Sequence, residues 1–400
     1  MTCTILHIAA FPPSGAGGVE RTLIDYLLQV GDGNRHVLCA IDPSDEMEVT
    51  LRSLPVETHV LRRASRLDIR LILKIANTIK EVSPDIVYSR GFTGFLWSSL
   101  AIIRKKNIKL IRGEHGSTAL QTGVQKPLDW FLTRRFDKVI ANSEAVKSTF
   151  ARNARFPLDK IRVVHNGVDV RKYEATGDSG TLRQSLKIEA TAPVVGTVAN
   201  FHPWKDNQTL VRAIPIVLHS IPDAVFVMVG TGSQLEPCRE LAISLGVESS
   251  TRFPGSQENA PEYHAMFDIF VLPSIYESFG NVLVEAGMAG KPVVAGRVGG
   301  IQEIVEDGVT GVLLQHTVSL NDADGALQMA GNLVDLKTGT DLKPKRLDPD
   351  ALAEAITSLL KDGDRSKSLG KAARKRAIAN FSLERYSDNL AAVYSEVLSS

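Results

Sequence analysis

Apolar residues in this chain fall into short unbroken runs, separated by longer stretches whose apolar positions recur every three or four residues. That is the pattern of strands buried on both faces alternating with amphipathic helices. Runs at 4–10, 36–41, 57–61, 85–89, 108–112 and 137–142 read as strands, with helices over about 19–30 and 67–82. A segment at 161–169, Arg-Val-Val-His-Asn-Gly-Val-Asp from Arg162, ends on an Asn-Gly turn signal. Residues 174–192 are polar and glycine-bearing and read as a linker. The series then restarts with strands at 194–199, 224–230 and 269–272 and a Pro-Val-Val-Ala strand after Lys291, with helices over 207–220 and up to Leu245. No internal repeat is visible. The strand–helix order nevertheless occurs twice, so the expected fold class is α/β with two halves. Residues 315–346 are polar and read as an inserted long loop holding one helix over 322–333. Three helices follow, to Leu360, to Asn380 and over 382–398.

The totals refine this picture. A chain of 400 residues exceeds one ordinary core, and 44% hydrophobic with 23% charged residues is the balance of a globular protein. Cys3, Cys39 and Cys238 have no metal spacing and read as buried thiols, which favours a reducing compartment. The start, MTCTILHIAAF, reads as a first strand and not a signal peptide, and no apolar run is long enough to span a bilayer. The expected location is therefore cytoplasmic or peripheral at the inner face of a membrane. Residues 1–175 hold 26 Lys and Arg against 18 Asp and Glu, and the remainder holds 20 against 27. A basic first half suggests an anionic partner such as lipid headgroups, a lipid diphosphate or an acidic glycan. Arg62, Arg63, Arg66 and Arg70 at the start of the 67–82 helix fit either a solvated outer face or a membrane-surface element.

The densest candidate chemistry lies between Pro273 and Gly300. A buried strand at 269–272 delivers the chain into a loop carrying Glu277, after which Ser278, Phe279 and Gly280 open a helix. The amides of its first turn, from Phe279 through Asn281 to Val282, face outward with the positive end of the helix dipole behind them, and such a terminus favours a phosphate or diphosphate. Glu285, about two turns in, can accept from a pair of ribose hydroxyls. A second glycine-rich strand–turn–helix unit, with Gly17-Gly18-Val-Glu-Arg, follows the first strand. It lacks both the dinucleotide fingerprint and the lysine of a P-loop. His115 ends the 108–112 strand between two glycines, where open α/β sheets bind ligands.

Glu277 and Glu285, at that spacing and in that strand–turn–helix setting, resemble the Glu-x7-Glu motif of the retaining glycosyltransferases of family 4. The likeness covers nearly the whole chain. It implies the GT-B fold: two Rossmann-like domains facing across a cleft, with a last helix crossing back to the first. The corresponding division is 1–173 plus about 382–400 as acceptor domain, 174–192 as linker and 193–381 as donor domain. The resemblance further implies that Gly17 and Gly18 approach the donor, that His115 contacts the donor sugar, and that Glu277 contacts sugar hydroxyls while Glu285 binds ribose. It places the nucleotide base near Arg252-Phe-Pro-Gly. Where the family usually carries an arginine and then a lysine for the diphosphate, this chain has Asn200 and Lys205, so one cation is replaced by a neutral donor.

The implied activity is transfer of a sugar from a nucleotide diphosphate to an acceptor hydroxyl, in polysaccharide, lipopolysaccharide or glycolipid assembly, with Glu277, His115 and Lys205 as the catalytic group. No cofactor is expected beyond the nucleotide sugar as substrate, and no nucleic acid. No metal is expected either, because Asp322-Ala-Asp324 and Asp348-Pro-Asp350 lie in or beside the insertion and read as a polar loop and a helix start. Two rivals remain: a nucleotide-sugar epimerase of the same fold, and a non-catalytic binding partner of another transferase.

Overall fold

Seven strands build the first sheet: β1 (Thr4–Ala10), β2 (Arg35–Ile41), β3 (Glu57–Leu61), β4 (Ile86–Arg90), β5 (Lys109–Glu114), β6 (Lys138–Ala141) and β7 (Ile161–Val163). All pair in parallel, in the order β3-β2-β1-β4-β5-β6-β7. The order reverses between β1 and β4, where Ala9 lies opposite Arg90. The second sheet has β8 (Val194–Val198), β9 (Val225–Val229), β10 (Thr251–Gly255), β11 (Ile269–Leu272), β12 (Val293–Gly296) and β13 (Gly311–Leu314), in the order β10-β9-β8-β11-β12-β13. Its reversal falls between β8 and β11. The computed structural model describes residues 3–11, 17–65, 68–102, 107–116, 125–174, 180–320 and 344–399.

The chain divides into a unit of residues 1–167 with 383–400 and a unit of 168–382. Each has its own core, because strands buried on both faces need helices on both faces. In the first unit the last helix, Leu383–Ser399, sets Leu383, Tyr386, Leu390 and Tyr394 against Leu23, Tyr26, Ile86 and Tyr88. In the second, Phe270, Leu272, Phe279, Leu283 and Phe381 share one cluster. All three cysteines are free and buried. Among the described residues no helix is long and apolar enough to cross a membrane.

The structure departs from expectation in three places. The helix expected from 67 begins at Arg70, and Arg66 and Leu67 lie outside the described residues. Its neighbouring cations are engaged inside the unit: Arg62 with Asp45 and Glu48, Arg63 with Asp42, and Arg70 with Asp68. The basic stripe read from the sequence is thereby largely compensated. The ends of the expected 315–346 loop are strands, β14 (His316–Ser319) and β15 (Lys345–Leu347), paired antiparallel. The helix expected over 322–333 and the pair Asp322/Asp324 lie outside the described residues. Asp348 accepts from the backbone N–H of Asp350 and caps the helix Pro349–Lys361, a helix start as read.

Candidate functional site

Strand β11 is wholly buried and ends beside β8 at the reversal point of the second sheet. The chain then crosses a loop through Glu277 and enters the helix Asn281–Met288. That helix starts later than the sequence suggests, because Gly280 is its cap, at φ 107° and ψ 58°. Only glycine takes such a backbone without strain. It also brings no side-chain oxygen to the helix start. Glu285 consequently stands about one turn into the helix, not two. Gly299 sets the loop from the other side. At φ 49°, it packs its Cα so close to Glu277 that an added Cβ would overlap the Glu277 carbonyl oxygen. The Gly300 N–H donates to the same carbonyl at 3.2 Å.

Glu277 is 9% exposed. Its carboxylate accepts from the Lys205 ammonium and, at 3.4 Å, from the Ser274 hydroxyl. Lys205 ends a single 3-10 turn, Pro203–Lys205, whose Trp204 carbonyl accepts from the Ile275 N–H at 2.8 Å. The two loops that follow β8 and β11 are thus stitched together, and the ion pair sits where they meet. His316, from β14, reaches the same loop and bonds the Ser274 carbonyl through Nε2 at 3.0 Å.

Glu285 has a partner the sequence did not announce. His264, on the helix Ala260–Met266, is fully buried, and its Nε2 lies 3.4 Å from Glu285 Oε2. Phe267, Phe270 and Tyr173 surround the ring. The separation is too long and poorly directed for a hydrogen bond, and both ring nitrogens are buried without one. The only sequence signal was a histidine amid apolar residues, which is commonly a core residue.

The remaining expected site residues fall as follows. Asn200 is exposed just beyond β8, its carbonyl accepting from the His202 N–H at 2.9 Å. Arg252, on β10, donates to the carbonyls of Leu186, Lys187, Ser249 and Thr251. Its guanidinium therefore holds the segment before β8, and in this arrangement it supplies no cation to the Glu277 loop. Phe279 is buried against Phe381, with ring centroids 5.7 Å apart, and Val282 is partly buried in the same core.

Gly17, Gly18 and His115 belong to the first unit. Gly17 precedes the helix Gly18–Gln29 in extended backbone and gives it no side-chain cap. His115 follows β5, and both its ring nitrogens are buried without a hydrogen-bond partner. Burial, and then the positive charge of Arg90, pushes its pKa down to about 3, so the ring is neutral at any working pH. Arg90 was missed from the sequence. Its signal was a polar Ser-Arg ending on a strand that starts Ile-Val-Tyr.

Residues 14–172 match the family model described as Glycosyltransferase Family 4, and residues 178–330 match Glycosyl transferases group 1. A D-inositol 3-phosphate glycosyltransferase of Streptomyces scabiei is 33% identical over 195 residues, 46% of this chain and 44% of that protein. An N-acetyl-alpha-D-glucosaminyl L-malate synthase of Bacillus anthracis is 27% identical over 73% of this chain and 69% of its own length. The first of these relatives is therefore spanned over less than half its length. The fold matches that of Anabaena HepE solved with UDP and glucose, with TM-score 0.81 and 24% identity over 98% of this chain and 100% of that one.

Proposed function

The chain belongs to glycosyltransferase family 4 and has the GT-B fold, and from that premise we propose that it moves a sugar from a nucleotide diphosphate to an acceptor hydroxyl with retention at the anomeric carbon. The observation that carries this reading is the grouping at the β8/β11 reversal. There a glycine-capped helix start, the Lys205 ammonium and the Glu277 carboxylate converge on one loop. Open α/β sheets bind nucleotides at such a reversal, and a helix start attracts phosphate. That a fold neighbour was solved with UDP-glucose supports a nucleotide-sugar donor.

In the proposed reaction the bond from the anomeric carbon to the diphosphate oxygen breaks, and the acceptor oxygen takes its place on the same face. The acceptor proton passes to the departing diphosphate. Charge growing on that group is met by the helix start and by Lys205. Glu285, with His264 beside it, binds the ribose. Glu277 binds sugar hydroxyls and steadies positive charge at the anomeric carbon. Held by Lys205, it is better suited to that than to forming a covalent intermediate. No metal enters this scheme. The acceptor context we propose is cell-surface polysaccharide, lipopolysaccharide or glycolipid, assembled at the inner face of the membrane.

The test is thermal shift against UDP, GDP and ADP, followed by mass-spectrometric turnover of the matching sugar nucleotides. A bound nucleotide raises the melting temperature by mass action. If no nucleotide does so, the proposal fails. Asn200 and the engaged Arg252 favour one second reading, a binding protein without turnover. A shift with no sugar release, unaffected by Glu277→Ala, would select it.

A further inference from the structure

The first sheet has its own reversal point, between β1 and β4, and a buried cation stands at it. Arg90 is the last residue of β4, opposite Ala9 of β1 and Gly113 of β5, and is only 2% exposed. One amino group, Nη1, donates to the Tyr386 hydroxyl at 2.9 Å, and the guanidinium lies 4.3 Å over the Tyr88 ring. Its Nε and Nη2 are buried with no hydrogen-bond partner, and among the described residues no carboxylate forms a direct ion pair with it; the nearest electrostatic counterpart is Glu20, partly buried beyond ion-pair distance. Contrast Arg112 on the neighbouring strand, equally buried, which binds both Glu114 and Asp129. A guanidinium left with open donors in a low-dielectric site is costly unless something anionic meets it.

The surroundings suit such a partner. Gly113 has no side chain, and this gap admits both the Arg90 stem and the His115 ring. A Cβ there would lie 3.2 Å from His115 Nε2 and 3.4 Å from Arg90 Cγ. His115 also keeps two buried ring nitrogens without partners. One helix starts at this sheet edge without a side-chain cap, Gly91–Ala101 directly after Arg90, whereas at the start of Gly18–Gln29 the Glu20 carboxylate lies close to Gly17. At Gly91 an added Cβ would meet nothing within 4 Å, so the strand end borders open space.

We propose that Arg90, with His115 beside it and the uncapped start of the Gly91–Ala101 helix after it, is an anion seat that takes a phosphate or carboxylate group of a substrate. The proposal deepens the transferase reading and rests on it for the word substrate: the anion is carried by the acceptor. Tyr386 is then a positioning residue, holding one edge of the guanidinium so that the Nε/Nη2 edge remains for the ligand.

The test uses the full chain. Kd values are measured by calorimetry for the best-binding nucleoside diphosphate, and for inorganic phosphate added on top of saturating nucleotide. Wild type is compared with Arg90→Met and Arg90→Lys. If the acceptor carries the anion, phosphate binds the nucleotide-saturated wild type. Arg90→Met then weakens it at least tenfold and Arg90→Lys several-fold, while nucleotide affinity changes less than twofold. Loss of phosphate binding over saturating nucleotide, together with a tenfold weaker nucleotide in Arg90→Met, overturns the assignment to the acceptor. Nucleotide and phosphate affinities that both stay within twofold of wild type in a folded Arg90→Met protein overturn the proposal. Should that variant not fold, an Arg90→Lys protein with unchanged affinity for both overturns it equally. Failure of every nucleotide to bind wild type would instead sink the transferase reading. Phosphate titrated into nucleotide-free wild type and Arg90 variants still decides the anion seat in that case: a tenfold loss supports it, and equal affinities overturn it.

Discussion

Removing Lys205 should strand a carboxylate. The Lys205 and Glu277 side chains are 16% and 10% exposed, so the pair lies mostly out of water. Without the ammonium, Glu277 keeps only the Ser274 hydroxyl at 3.4 Å, a poor substitute. Breaking a fully buried pair from one side costs about 3–5 kcal/mol. The residual exposure of this pair brings the expectation for Lys205→Met down to about 2–3 kcal/mol. For a unit of this size, at about 2–4 °C per kcal/mol, that is a melting point lower by roughly 5–10 °C. Glu277→Gln removes the stranded charge, so the double variant should recover most of the loss, leaving a coupling of about 2 kcal/mol. Urea unfolding of the four proteins measures the cycle, and calorimetry with nucleoside diphosphate reads function alongside. Both Lys205 variants should bind nucleotide on the order of a hundredfold more weakly, since a charge-assisted contact to phosphate is lost. A double variant no more stable than Lys205→Met, or a Lys205→Met protein with native nucleotide affinity, would refute the reasoning.

Gly299→Ala should cost at least about 2 kcal/mol, combining the left-handed backbone penalty with overlap on the Glu277 carbonyl. It should also weaken nucleotide binding, because the loop must move; an unchanged melting curve would show that Gly299 does not set that loop. Arg252→Met should lower stability by about 1–3 kcal/mol through four carbonyls losing their donor, yet leave nucleotide affinity within twofold; a large affinity loss would return Arg252 to the site. For pH, the sign follows from His115. Folded, it takes a proton only near pH 3, whereas unfolded it does so near the ordinary histidine value of 6.5. Between those values the unfolded chain binds more protons, so this contribution to stability falls as pH drops, by up to about 1.4 kcal/mol per unit. His115→Gln should flatten that slope in urea titrations at pH 7, 6 and 5, and parallel slopes would contradict it. His264→Phe should raise the nucleotide Kd several-fold with little change in kcat, by replacing the polar ring beside Glu285 with an apolar one; a fall in kcat alone would point to a different role.

Most strands were legible because a run such as Ile269–Leu272 is apolar at every position, and only a strand covered on both faces calls for that. The Glu277–Glu285 interval was equally legible, since the spacing is local. What escaped depends on three-dimensional neighbours. The helix start shifted to Asn281 because Gly280 takes a left-handed conformation dictated by the loop around it. The Arg252 segment was read as lying near the nucleotide base, and a sequence does not say which carbonyls surround a guanidinium. Arg90 and His264 are the converse: single polar residues in apolar company, whose meaning comes from a gap at Gly113 or a carboxylate on another helix. Among the described residues the strands at the ends of the 315–346 stretch pair only with each other, and three or four residues carry too little periodicity to declare themselves.

That ribbon has an engineering consequence. Ser319 and Lys345 are direct partners, so the two strands that flank residues 320–344 meet side by side at one doorway. A tight Asn-Gly hairpin could close the doorway after excision of everything between, and a fluorescent tag or foreign peptide could be spliced in at the same place. The bond from His316 to Ser274 makes such grafts informative, because strain at the splice would be felt first by the loop that carries Glu277.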